Sequence, residues 1–125
     1  MLEVINLTKR FKQNYAVKEV NMYLEPGEIV GLLGPNGAGK STTISIISSL
    51  IPPTSGDVRL FNESILKQPG IIREILGVVP QEIALYDDLT AQENLQFFGR
   101  IYGLKEKELK KRVDEVLEQI GLTER

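Results

Sequence analysis

The chain has 125 residues with 15 Lys+Arg and 17 Asp+Glu, a formal net charge of −2, 42% apolar residues, and no Cys, His or Trp. Near-balanced charge and an average apolar content exclude disorder and make a poor nucleic-acid binder; the missing Cys and His exclude disulfides, thiolate and imidazole metal sites and a histidine base. Met1-Leu2-Glu3-Val4 is no signal peptide and no apolar run nears the roughly 20 residues of a membrane helix, so the expectation is a soluble, cytoplasmic chain.

In chain order, Leu2, Val4 and Leu7 mark a first short apolar stretch and Ala16 to Leu24 a second, both read as strands. Glu25-Pro26-Gly27-Glu28 is a turn, with Pro and Gly as punctuation. Ile29-Val30-Gly31-Leu32-Leu33 is a near-continuous apolar run, the pattern of a strand covered on both faces in a parallel sheet. Thr42 to Leu50 is expected as a helix although Thr42, Thr43, Ile44, Ile46 and Ile47 are β-branched, and Pro52-Pro53 stops it. Thr54-Ser55-Gly56 reads as a turn and Asp57 to Phe61 as a strand. Residues 64 to 80 read as a short helix, with Pro69 in its first turn, followed by the strand Gly77-Val78-Val79.

From Asp88 onward the pattern is helical. Thr90-Ala91-Gln92-Glu93 fits a capping box, Leu95, Phe98, Ile101 and Tyr102 follow at helical spacing, and Gly103 closes the helix. Leu109, Val113, Val116, Leu117 and Ile120 form a second apolar stripe. Lys105, Glu106, Lys107, Glu108, Lys110 and Lys111 around its start read as a solvated face.

The chemistry concentrates at Gly34-Pro35-Asn36-Gly37-Ala38-Gly39-Lys40-Ser41, which matches the phosphate-binding P-loop pattern G-x-x-x-x-G-K-[ST]. Glycines let the backbone curl so that successive N–H groups surround a polyphosphate, and the helix starting near Gly39 adds its positive dipole end. Lys40 supplies a cation for the β- and γ-phosphates, and the Ser41 hydroxyl is placed to ligate Mg²⁺. The nucleotide-binding set is thus Asn36, Gly37, Ala38, Gly39, Lys40, Ser41 and Thr42, with Lys40 also counted as catalytic.

With these residues in place, the chain resembles the amino-terminal part of an ABC transporter ATP-binding subunit. Leu7-Thr8-Lys9-Arg10-Phe11 is similar to the family's first-strand ending, which implies that Phe11 stacks on adenine, with Tyr15 a rival in the following turn. Gly77-Val78-Val79-Pro80-Gln81 resembles the strand entering the family's Q-loop, which implies that Gln81 is catalytic, contacting Mg²⁺ or the attacking water. Leu85 to Leu95 and Tyr102-Gly103-Leu104 are similar to the helical subdomain of subunits paired with drug- or polysaccharide-export permeases, closest in flavour to the ABC-2 drug-export type. That surface receives the membrane subunit in the family. The resemblance implies an α/β fold: a P-loop core over residues 1–82 and the start of a helical subdomain over 83–125.

It also implies ATP and Mg²⁺ as cofactors, ATP/ADP, a membrane permease and a second ATP-binding subunit as partners, no nucleic acid, and a place on the inner face of the cell membrane through the permease. The family signature Leu-Ser-Gly-Gly-Gln and the strand ending in Asp-Glu are absent from these 125 residues, and a switch histidine is ruled out. Ile83-Ala84-Leu85-Tyr86-Asp87 is a decoy for that Asp-ended strand. The expectation is therefore an incomplete domain, its carboxy-terminal part lacking, in which the parent hydrolyses ATP and this chain alone does not. The alternatives are a nucleotide-binding fragment without turnover and another P-loop NTPase. A GTPase lacks its Asn-Lys-x-Asp here, and a small kinase lacks an Arg-rich lid, since residues 82 to 103 hold only Arg100.

Overall fold

Val4 and Leu7 are both buried although three residues apart, which a strand of strict period two does not allow. The strand bulges between them at Asn6, φ 46°, and its partner strand bulges in turn at Glu19, φ 48°. Side chains hold both bulges. The Asn6 N–H donates to Asn21 Oδ1 at 2.8 Å, and the Glu19 N–H donates to Thr8 Oγ1 at 3.0 Å. The computed structural model describes residues 1–82 and 84–122, and the chain divides into two compact units, Met1–Val78 and Val79–Arg125.

In the first unit, β1 (Leu2–Phe11) pairs antiparallel with β2 (Asn14–Leu24) on one side and with β3 (Ser55–Leu60) on the other. β4 (Glu63–Ser64) adds to β3, so the sheet order is β2-β1-β3-β4. Helix α1 (Lys40–Ile47) lays Ile46 and Ile47 on Val4, Leu7, Val58 and Ile65 to make the core. Helix α2 (Pro69–Ile75) begins at Pro69, as expected for a residue that has no N–H to leave unsatisfied.

Three expectations change. The run Ile29 to Leu33 forms no strand: Ile29 is 98% and Leu33 95% exposed. A strand covered on both faces needs a paired neighbour on each side, and among the described residues none runs beside it. Gly77-Val78-Val79 is likewise coil, for the same reason. β3 begins at Ser55 and runs through Gly56, which was expected in a turn. At φ 88° Gly56 lies so close to the Ile5 and Asn6 carbonyls that any Cβ would overlap them, so only glycine lets β3 pass the bulge. Neighbouring Asp57 loses some hydration, which raises its pKa. Hydrogen bonds from Ser64, Arg59 and the Val58 N–H outweigh that and hold it below the usual carboxylate range.

The second unit is helical. Helix α3 (Ala91–Ile101) packs against α4 (Glu106–Gln119), with the Gly99 Cα against Leu109, where a Cβ would overlap the leucine methyl. Leu109 and Val113 are buried, whereas Ile101 and Tyr102, expected in the buried stripe, are exposed at the end of α3. The α4 charges are solvated as expected, and Glu115 pairs with Arg112 at 2.9 Å and Lys111 at 3.7 Å.

Candidate functional site

The P-loop takes its shape from three glycines at positive φ, the first being Gly34 at 155°. Gly37 sits at φ 84° in open space. Gly39, at φ 86°, is the residue before α1, and its Cα rests against β2 so tightly that a Cβ would overlap the Ala16 carbonyl and reach Val17 at 3.2 Å. The start of α1 is thereby fixed to the β1–β2 hairpin. The Ala38 N–H donates to the Pro35 carbonyl at 3.2 Å, closing the curl before the helix.

No side chain caps α1. The first-turn N–H groups of Lys40, Ser41 and Thr42 have no intrahelical acceptor, so this end is a donor array with the positive dipole behind it. The Thr43 hydroxyl turns inward to bond the Gly39 carbonyl at 2.9 Å, which accommodates a β-branched residue in the helix. The Lys40 ammonium folds back over the loop and donates to the Gly34 and Pro35 carbonyls at 2.6 and 2.7 Å. The expected residues Asn36 to Thr42 thus make one continuous loop and helix start, with the Lys40 ammonium held on the loop's own carbonyls.

Phe11 ends β1 opposite Asn14 and is half-exposed, with the Lys9 ammonium 5.2 Å from its ring centroid. Lys9 is itself held by the Pro52 carbonyl at 2.5 Å. Tyr15 is equally exposed on the other strand of the hairpin, under Arg10 at 5.0 Å and Lys18 at 5.5 Å. Lys9 went unnoticed in the sequence; its i, i+2 spacing from Phe11 on one strand face was the available signal.

Gln81 is exposed in coil at the start of the second unit. Of the decoy, Ile83 lies outside the described residues and Ala84 to Asp87 form no strand. The capping box is present in full: Thr90 Oγ1 accepts the Glu93 N–H at 3.2 Å, and Glu93 Oε2 accepts the Thr90 N–H at 2.8 Å. Leu85 and Tyr86 are exposed, and the Tyr86 ring meets Phe97 edge-on at 4.9 Å. Asn94, 6% exposed, is a polar residue the sequence reading passed over. Its signal was its position, three and four residues before Phe97 and Phe98 on a helix.

The ABC transporter family profile matches residues 17–125. The chain belongs to the ABC transporter family. It is 52% identical over 125 residues to the linearmycin resistance ATP-binding protein of Bacillus subtilis, covering 100% of this chain and 40% of that protein. It is 39% identical over 127 residues to the ABC transporter ATP-binding protein NatA of the same organism, covering 98% of this chain and 52% of that one. Among solved structures it is similar to an ATP-binding subunit of an ABC transporter, with 33% identity and a TM-score of 0.81 over 100% of this chain and 52% of that one. It is also similar to a dimeric ATP-binding cassette bound to ADP and Pi, with 34% identity and a TM-score of 0.79, covering 100% of this chain and 59% of that one. The chain thus spans between 40% and 59% of the length of these four ABC proteins. It carries a partial ABC ATPase domain, with strands and helices mixed as the α/β expectation required.

Proposed function

We propose that this chain is the ATP-binding portion of an ABC transporter ATPase subunit that powers transport across a membrane through a partner permease. The observation that carries the reading is the P-loop itself: a curl with Gly37 and Gly39 at φ 84° and 86°, ending on an uncapped helix start with Lys40 beside it. Polyphosphate oxygens accept from the Lys40, Ser41 and Thr42 N–H groups. The Lys40 ammonium leaves the Gly34 and Pro35 carbonyls for the β- and γ-phosphates, exchanging two neutral acceptors for charged ones. Ser41 would hold Mg²⁺, a hard cation suited to hydroxyl oxygens, which neutralises charge on the phosphates when bound; Gln81 is added as a ligand on the family resemblance alone. Phe11 offers its free ring face to adenine while Lys9 occupies the other.

Residues 1–82 serve as the nucleotide-binding core and residues from 83 as the start of a helical subdomain. Leu85 and Tyr86 there form an exposed apolar surface that docks the membrane subunit. Two such subunits pair, as in the dimeric cassette with ADP and Pi, and the assembly sits on the inner face of the membrane. Turnover needs a group to orient the water, and among the described residues no strand ends in Asp-Glu.

A steady-state phosphate-release assay tests the reading. We expect turnover from the full-length subunit, its loss in Lys40→Ala, and silence from these 125 residues alone. Turnover by the full-length subunit that survives Lys40→Ala would overturn it.

A further inference from the structure

Asn94 lies on the fourth residue of α3, and its side chain is almost entirely spent on one loop. Oδ1 accepts the Tyr86 N–H at 2.9 Å. Nδ2 donates to the Tyr86 carbonyl at 3.1 Å and lies 3.1 Å from both the Leu89 and Thr90 carbonyls. The amide therefore satisfies both backbone groups of Tyr86, as a neighbouring β-strand would, and closes the loop onto the helix start. The Leu89 N–H donates to the Tyr86 carbonyl at 3.0 Å, completing a turn over residues 86–89.

This arrangement is more than helix capping. Thr90 and Glu93 already complete the capping box. What the Asn94 clamp fixes is the segment just before it, where Leu85 is 60% and Tyr86 51% exposed. An exposed apolar loop held by a buried, fully bonded amide is costly to keep ordered unless its geometry is used. Only Asn supplies one acceptor and two donors at this reach. Asp has no donor for the three carbonyls, and Gln is one methylene longer.

We infer that Asn94 is a positioning residue for partner docking: it holds Leu85 and Tyr86 in the conformation that receives the membrane subunit. The inference rests on the docking role given to Leu85 and Tyr86 above. The loop also exposes Asp87 and Asp88 beside the two apolar side chains. The partner segment is therefore apolar with a Lys or Arg next to it, the arrangement that pairs charge with charge and apolar surface with apolar surface.

These 125 residues hold no Trp, so Tyr86→Trp in a full-length subunit whose tryptophans elsewhere are replaced by Phe makes a single reporter on this loop. Acrylamide quenching of that residue, ATP affinity, and assembly with the membrane subunit in nanodiscs are measured with and without Asn94→Asp. The expected result is quenching that rises toward that of free tryptophan, assembly weakened roughly tenfold or more, and ATP affinity unchanged. Where Asn94→Asp lowers the melting temperature, Asn94→Ser removes the clamp without adding charge and is read the same way. Unchanged quenching overturns the inference. So does increased quenching with undiminished assembly, provided Leu85→Asp with Tyr86→Asp still weakens assembly, because the docking surface then stands without the clamp. If that double variant assembles normally, the docking reading itself falls and takes the inference with it.

Discussion

Replacing Gly39 by Ala separates two costs that the structure keeps apart. At φ 86° an L-residue occupies the left-handed region, which costs roughly 1–2 kcal/mol. The added Cβ also overlaps the Ala16 carbonyl of β2, a backbone atom that cannot rotate away. Overpacking of that kind adds about 1–3 kcal/mol, for a total of about 2–5 kcal/mol. Gly37→Ala is the control, since φ is 84° there and its Cβ would meet nothing within 4 Å. It should cost only the dihedral term, roughly 1–2 kcal/mol. The assay is urea unfolding followed by far-UV circular dichroism, comparing midpoints at constant slope. Gly39→Ala should fall well below Gly37→Ala, and its ATP affinity should fall too because the helix start shifts. Equal midpoints for the two variants would refute the claim that close approach to β2 anchors the P-loop.

Three further outcomes follow from the same geometry. Thr90→Ala removes the acceptor for the Glu93 N–H and should cost about 1 kcal/mol of α3 stability, read by hydrogen exchange of its first turn. The Thr90 N–H, and then its hydroxyl, hold Glu93 below the ordinary carboxylate value. A depressed folded pKa means this contribution is present above the ordinary value and lost as pH falls through the folded one; Glu93→Gln should abolish that step in an NMR titration of the Thr90 amide. Phe11→Ala should weaken ATP and GTP binding alike while Phe11→Tyr stays nearly silent, because stacking reads a π-face common to all bases; a strong ATP preference that survives Phe11→Ala in a competition titration places the base contact elsewhere.

Local signals carried most of what the sequence made legible. Thr90 with Glu93, Gly103 after α3, Pro69 at the start of α2 and Gly27 in its turn each act within a few residues, and each is where it was expected. The P-loop was legible because its residue types follow one another in a fixed local pattern, whereas the approach of Gly39 to Ala16 of β2 was not. Overriding the β-branched propensity of Thr43, Ile44, Ile46 and Ile47 was sound because α1 buries Ile46 and Ile47 in the core and bonds the Thr43 hydroxyl internally. Ile29 to Leu33 and Gly77 to Val79 failed as strands because apolar content speaks of burial, whereas a strand also needs a laterally paired neighbour. The bulge at Asn6 and the passage of Gly56 beside it were hidden, since the first depends on a contact 15 positions away and the second on one about 50 positions away. Asn94 was overlooked because a polar residue on a helix is ordinarily solvated, and only the fold of residues 86–90 gives it acceptors.

The central claim is that the curl from Gly34 to Ser41 holds the phosphates of Mg-ATP with Lys40 as their cation. Isothermal titration of Mg-ATP into the full-length subunit and its Lys40→Ala variant tests it most directly. Loss of a charge-assisted contact should weaken binding by about 1.5–3 kcal/mol, roughly ten- to a hundredfold. The two backbone hydrogen bonds that Lys40 gives up on binding place the result toward the lower end. Equal Mg-ATP affinity in the two proteins would contradict the account.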